Sequence, residues 1–386
     1  MMQKEEDALL PTGLRDILPN DAALEAETVE QIVRFFGHNG YNRVKAPLIE
    51  FEDGLLSGAG IALAPDTFRL MDPVSQRMMG VRADITPQIS RIARTRLTNS
   101  TRPLRLSYSG EVLRVRGTQL RPERQILQVG AELIGSDSTA ADVEIIFLAA
   151  DAISSVGSDD FSVDLTVPRL VPSILEKFEF SEDVSLALRA GLDRKDPEVI
   201  KKIAGPATEI LTVLLESTGP VVNVLSRLRK LTLPCIASAE LSRLEEVVSL
   251  LLDEAPKLPL TLDPVENRGF EYHTGIGFTI FARGTSGELA RGGRYRVKGA
   301  EPQDAGEKAT GVTLYIDTII NMIDKSRDKP RILVSIDTPR KIKSDLHNNG
   351  WTTVSALENE VDLCEEAVRL ECSHYLGKSG PEPTKG

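Results

Sequence analysis

Apolar positions recur three and four residues apart between residues 21 and 38, where Leu24, Val29, Ile32, Val33 and Phe36 line one face of a predicted helix. Asn20 or Asp21 stands where an N-cap is needed, Gly40 stops the element, and residues 41–47 read as the strand that follows. Short strands are predicted at 68–70 and 78–81. Thr86 then caps a helix with Pro87 at its first position, and Ile89, Ile92, Ala93 and Leu97 supply its buried stripe. Strands at 104–108 and 112–115 run into a polar loop and a strand at 126–134 leaves it, the layout of an antiparallel hairpin.

Farther along, the pattern predicts a helix over 140–155. Helical periodicity then dominates 169–252, in stretches such as "ATEILTVLLEST" and "ELSRLEEVVSLLLDEA", which together read as an insertion. Strands return at 258–262, 277–283 and 287–290, and "GVTLYIDTIINMI" reads as a late helix. The result is an α+β fold: a largely antiparallel sheet with its helices segregated. A charged linker, "DKSRDKP", precedes a short strand "RILVSI", a helix and a strand near Trp351, while "GKSGPEPTKG" has the composition of a disordered tail. The predicted organisation is a core in two parts, 1–168 and 257–325, a helical insertion at 169–256, and a small C-terminal α/β appendage at 326–386.

Composition narrows the function classes. A chain of 386 residues with 41% hydrophobic content can bury a substantial core. Its formal charge of −11 argues against a broad electrostatic grip on nucleic acid, although a local basic pocket remains open. No apolar run reaches the roughly 18 residues of a membrane span, and the start "MMQKEEDALLPTG" is acidic where a signal peptide is basic, so a cytoplasmic protein without membrane contact is expected. Cys235, Cys364 and Cys372 form no C-x-x-C, and the four histidines are scattered, so reduced thiols, no metal and no cofactor are expected.

The hairpin "EVLRVRGTQLRPERQILQVGAELIG", residues 111–135, concentrates the candidate chemistry. Arg114 sits where the first strand enters the loop. Gln128 and Glu132, four apart on the returning strand, face the same side. On a covered face, the three would make a pocket taking an ammonium or imidazole on the carboxylate and a carboxylate on the guanidinium. On a solvated face, the same residues make an ordinary salt bridge. Spacing alone leaves both readings open.

The segments "PTGLRDILP", "GYNRVKAPLIE", "RADITPQISRIAR", "LRLSYSGEVLR", the hairpin, "RGFEYHTG" and "RGGRYR" occur in one order that resembles the class II catalytic core of histidyl-tRNA synthetase, from about Pro11 to Asp324. The resemblance implies a six-stranded antiparallel sheet with flanking helices. On the amino-acid side it implies contacts from Asp84, which replaces a glutamate, and from Thr86, Gln128, Glu132 and Tyr272, with His273 replacing a second tyrosine. Taken alone, Tyr272 reads better as a strand residue of the core. Arg268 matches the family's catalytic arginine. On the nucleotide side Arg114 and Arg124 remain, but Arg116 replaces a glutamate, Tyr315 fills a glycine position and Thr318 stands where an arginine belongs. A triphosphate needs paired cations, so productive adenylation is not expected. The C-terminal appendage is also about half the length of the synthetase's anticodon-binding domain.

A synthetase core with this pattern is similar to one known group, the regulatory subunits of ATP phosphoribosyltransferase. Membership implies a non-catalytic chain required by a separate short-form catalytic subunit at the first step of histidine biosynthesis, with free histidine as ligand and no tRNA. It also implies a homodimer through the first motif, residues 21–38 and 41–47. Two other readings stay open: a surviving histidyl-tRNA synthetase-like enzyme, and a scaffold that does not sense histidine. The loop arginines Arg116 and Arg121 fit either a partner surface or exposed solvated charges.

Overall fold

Helix α1 (Pro19–His38) buries Val29, Ile32, Val33 and Phe36, as its periodicity demands, with Leu24 packed at the edge of the same cluster. It ends ahead of Gly40, whose φ of +83° suits a residue without a Cβ. Neither Asn20 nor Asp21 caps it: the helix starts earlier, with Leu18 at the cap position and Pro19 inside the first turn. Proline does this work because it has no N–H to satisfy and its φ is already helical. The computed structural model describes residues 9–56, 58–118, 121–157, 159–266, 273–297, 306–323, 330–358 and 362–384. The chain divides into two compact units, Met1–Ile323 and Asp324–Gly386.

In the first unit, the strand expected after α1 contracts to β1 (Asn42–Arg43). A small three-stranded antiparallel sheet follows, made of β2 (Ile49–Phe51), β3 (Arg69–Met71) and β4 (Met78–Val81) in the order β2-β4-β3. Helix α2 (Thr86–Thr95) opens at Thr86 itself, and Asp84 rather than Thr86 takes the free backbone N–H, accepting from Thr86 N at 2.9 Å. The two strands predicted before the hairpin loop are one, β5 (Leu104–Leu113), which pairs along its whole length with β6 (Gln125–Ile134). Helix α3 (Thr139–Ser155) is capped by Ser138, and β7 (Phe161–Thr166) follows.

Six helices fill most of the next stretch: α4 (Leu170–Lys177), α5 (Glu182–Asp193), α6 (Pro197–Ile203), α7 (Thr208–Glu216), α8 (Val221–Leu228) and α9 (Cys235–Glu254), with the short β8 (Gly219–Pro220) between α7 and α8. Their buried leucines and valines belong to the same apolar cluster as α1, α3 and one face of the sheet. The chain returns through β9 (Leu260–Asp263), β10 (Gly277–Ala282), β11 (Ala290–Val297), β12 (Glu307–Tyr315) and the one-turn α10 (Ile316–Ile319).

Among the described residues the main sheet has nine strands in the order β1-β5-β6-β12-β11-β10-β7-β9-β8. From β5 to β7 every pairing is antiparallel, which gives the expected six-stranded antiparallel centre; β1 and β9 add to it in parallel. One sequence expectation is overturned here: "GVTLY" is not helical but the end of β12, the central strand between β6 and β11. Val312 and Leu314 are buried on one face and Thr313 and Tyr315 on the other, so the run carries no polar side that would mark it as a strand. Only residues 316–319 turn helical.

The sheet's two faces have different work. Val129, Ala131, Leu133, Val312 and Leu314 pack on the α1 and α3 side. Ile126, Ile134, Tyr108, Tyr295 and Tyr315 face the second cluster, which Ile85, Ile89 and Ala93 of α2 and its approach cover. Gln128 and Glu132 alternate with the first set and therefore belong to the α2 side. Gln128 and Glu132 thus lie on a covered face, which excludes the solvated reading for them.

The second unit is a four-stranded sheet in the order β14-β13-β15-β16, with β13 (Arg331–Val334), α11 (Arg340–Asn348), β14 (Thr352–Ser355), α12 (Leu363–Arg369), β15 (His374–Gly377) and β16 (Gly380–Pro383). The predicted disordered tail is corrected: β15 and β16 form a hairpin, turned at Gly380 with φ +126° and clasped by Tyr375 Oη donating to Glu382 at 2.6 Å.

Candidate functional site

Glu132 stands at the centre of a row that crosses the sheet. Its cross-strand partners are Leu106 on β5 and Gly311 on β12, and Gly311 in turn pairs with Gly293 on β11. A Cβ on Gly311 would overlap the Glu132 carboxylate, so the glycine is what lets that side chain lie across β12. Tyr295, from β11, donates to Glu132 Oε2 at 2.9 Å, and Tyr108, from β5, donates to Oε1 at 3.4 Å. The Tyr108 hydroxyl also meets Thr313 Oγ1 at 2.8 Å and Thr86 Oγ1 at 3.2 Å. Tyr108 reaches this position by lying over Gly130, where any Cβ would strike its ring. Burial lifts the Glu132 carboxyl to a pKa of about 8, against hydrogen bonds from Tyr295 and Thr86 that pull it down. Burial, together with the Glu132 charge, also holds both phenols well above their usual range, so each remains a donor.

Two pleat repeats away, Gln128 is fully buried and clamped at both ends of its amide. Its Oε1 accepts from Ile85 N at 3.2 Å, and its Nε2 donates to Asp84 Oδ2 at 2.8 Å. Asp84, Thr86, Gln128 and Glu132 are therefore one connected cluster. Arg114 borders it, donating from Nε to the carbonyl of Ala83 at 3.3 Å. Burial opposes the Arg114 charge, but Tyr315, Asp84, Asp66 and Glu288 outweigh it and raise its pKa. It makes no ion pair with Glu132 among the described residues, so the two keep separate roles. His273 is buried, with its ring against Gly293 in the Glu132 row. Arg268 and Tyr272 lie outside the described residues.

The side that the resemblance assigns to nucleotide holds side chains of the protein itself. Arg121, at 8% exposure, is neither a surface charge nor a loop-tip contact. Its guanidinium stacks on the ring of Tyr315, and its Nη2 donates to the Glu288 carbonyl at 3.1 Å and to Thr318 Oγ1 at 3.2 Å. Arg124 is likewise committed, donating to the carbonyls of Arg114 and Thr12 at 3.2 Å each. Arg116 is exposed. No helix among the described residues is long and apolar enough to cross a membrane.

Tyr108, Tyr295 and Thr313 carry no predicted role in the sequence, although the tyrosines fall within "LRLSYSGEVLR" and "RGGRYR". A usable signal was present: glycines inside strands, at 130 and 311, mark places where another side chain must pass close to the backbone.

The profile of the histidyl-tRNA synthetase family matches residues 13–319. An ATP phosphoribosyltransferase regulatory subunit from Rhodospirillum centenum is 53% identical over 367 residues, covering 95% of this chain and 94% of its own. Among solved structures, an ATP phosphoribosyltransferase regulatory subunit/histidyl-tRNA synthetase from Bacillus halodurans shares the fold with a TM-score of 0.79 at 22% identity, over 94% of this chain and 96% of its own. The ATP phosphoribosyl transferase complex from Thermotoga maritima includes a chain with a TM-score of 0.59 at 17% identity, over 76% of this chain and 97% of that one. With a curated relative at this identity over nearly its whole length and the synthetase-family match over most of the chain, the chain belongs to the family of ATP phosphoribosyltransferase regulatory subunits, built on the histidyl-tRNA synthetase fold.

Proposed function

We propose that this chain serves a separate short-form ATP phosphoribosyltransferase as its regulatory subunit and reports free histidine to it. Catalysis then resides in the partner. The observation that carries the reading is the contrast within one sheet face: Asp84, Thr86, Gln128 and Glu132 stay connected as a polar cluster, while Arg121 stacks on Tyr315 where the resemblance assigns nucleotide. Histidine fits the cluster by chemistry. Glu132 meets the imidazole, Asp84 the ammonium and Arg114 the carboxylate, with His273 nearby against Gly293; Arg268 and Tyr272 enter this reading by resemblance alone.

A homodimer through the first motif belongs to the same reading, with its contact surface refined. Val29, Ile32, Val33 and Phe36 are buried within the chain and are not available to a second copy. The segment just after the motif is: Leu48, Ile49 and Phe51 are 49%, 38% and 38% exposed, and Ile49 and Phe51 share a sheet face with their partners Val81 and Met79. Covering that face in a symmetric dimer removes apolar surface from water.

Histidine binding is tested by melting the chain in rising histidine. A native-only ligand at a hundred times its dissociation constant adds about 2.7 kcal/mol, so the melting temperature should climb, and Glu132→Ala should shrink the rise. No rise in the isolated chain or in its complex with the transferase leaves a scaffold that does not sense histidine.

A further inference from the structure

Glu132 is a carboxyl group at 1% exposure whose neighbours offer hydroxyls. From β11 comes Tyr295, from β5 Tyr108, from the start of α2 Thr86, and from β12 a bare glycine, Gly311, with Thr313 holding Tyr108. The charged group facing it is another acid, Asp84, on the segment before α2. Among the described residues no lysine, arginine or histidine pairs with it. An ionised carboxylate without a cation in such surroundings is costly, and the group avoids the cost by keeping its proton.

We propose that Glu132 is protonated in the unliganded chain and hands that proton to the imidazole of histidine on binding, which makes ring basicity the property the pocket selects. This rests on the reading of the cluster as a histidine site. The Glu132 O–H bond breaks, a ring N–H bond forms, and the ligand is held as an imidazolium against a carboxylate. An apolar ring of the same shape cannot accept the proton, and a permanently cationic side chain forces it out into solvent.

The proton count sets the pH dependence. Glu132 titrates at about 8 and an unperturbed imidazole at about 6.5. Between these values one proton sits on the pair before binding and one after, so none is exchanged with solvent. Above the window binding must take up a proton; below it, where both partners arrive protonated, binding must release one. Affinity therefore peaks between the two values and falls on each side, by up to about tenfold per pH unit.

Calorimetry of L-histidine binding to the full chain, in pairs of buffers with different ionisation enthalpies, counts the protons directly. Infrared difference spectra of the unliganded wild type against Glu132→Gln report whether a buried carboxylic acid is present at pH 7. The expected results are an acid band that titrates near pH 8, no proton exchange near pH 7, and proton uptake near pH 8.5 that Glu132→Gln abolishes. That comparison also separates Glu132 from titration of the ligand's own amino group. Histidine binding with proton release near pH 7, or with no acid band at pH 7, overturns the transfer while leaving the histidine site intact. A chain that binds no histidine overturns the site reading and the transfer together.

Discussion

The guanidinium carbon of Arg121 lies 3.8 Å from the centroid of the Tyr315 ring. These residues come from the hairpin loop and from the end of the central strand, and Thr318 completes their contact from the turn beyond. A side chain of this protein therefore takes the space beside β12 that the resemblance gives to a nucleotide. Histidine-dependent exchange of pyrophosphate into ATP should not exceed a no-protein control, and measurable exchange would mean that the arginine moves aside for nucleotide.

The same contact contributes to stability. Arg121→Ala removes a largely desolvated stacking interaction and two hydrogen bonds, and leaves the Glu288 carbonyl short of a donor. A loss of about 1–3 kcal/mol is expected in urea unfolding. A change below about 0.5 kcal/mol would show that the loop is not anchored there.

Glu132 also links stability to pH. Its folded pKa of about 8 lies above the ordinary value of 4.5, so the native state holds a proton that the unfolded chain gives up. The contribution is complete below the ordinary value, declines as pH rises, and is gone above the folded value. Wild type should lose on the order of 1 kcal/mol per pH unit between about pH 5 and 8 relative to Glu132→Gln. Parallel stability curves for the two proteins would contradict the neutral acid.

Two glycine substitutions should act in opposite directions. Gly311→Ala puts a methyl into the Glu132 carboxylate, which should lower stability by about 1–3 kcal/mol and remove the histidine-induced rise in melting temperature. Gly37→Ala lies at an exposed position of helix α1 with nothing within 4 Å of the new Cβ, and should gain about 0.5–1 kcal/mol with the histidine response unchanged. Equal effects of the two on histidine binding would detach the ligand from the Glu132 row.

Much of this arrangement was readable from local pattern. Helix α1 follows its apolar spacing, and the β5–β6 hairpin follows its loop; the same-side placement of Gln128 and Glu132 follows from the two-residue period of a strand. What could not be read depends on distant partners. "GVTLYIDTII" is apolar on both faces, so nothing in its period separates a buried strand from a buried helix until β6 and β11 flank it. Arg121 reads as a polar loop residue because its acceptors are contributed by Glu288 and Thr318, far along the chain. The second unit's tail looks disordered by composition, yet a Tyr375–Glu382 hydrogen bond and a glycine turn make it a hairpin.

Assembly is tested by light scattering at micromolar concentration. A homodimer is expected, and the pair Ile49→Glu with Phe51→Glu should give monomers that keep their fold, since both side chains are exposed in the single chain. A wild-type monomer, or a double variant that remains dimeric, would move the contact away from this sheet.

In the proposed reading, this chain controls a partner's catalysis and transmits histidine to it. The direct measurement is phosphoribosyl transfer to ATP by the purified short-form catalytic subunit, alone and with this chain, titrated with histidine, with Glu132→Ala in parallel. The expected result is activity that depends on adding this chain, that histidine lowers, and that the variant still supports while resisting histidine. Full activity of the catalytic subunit by itself, or equal inhibition by histidine with wild type and variant, would contradict it.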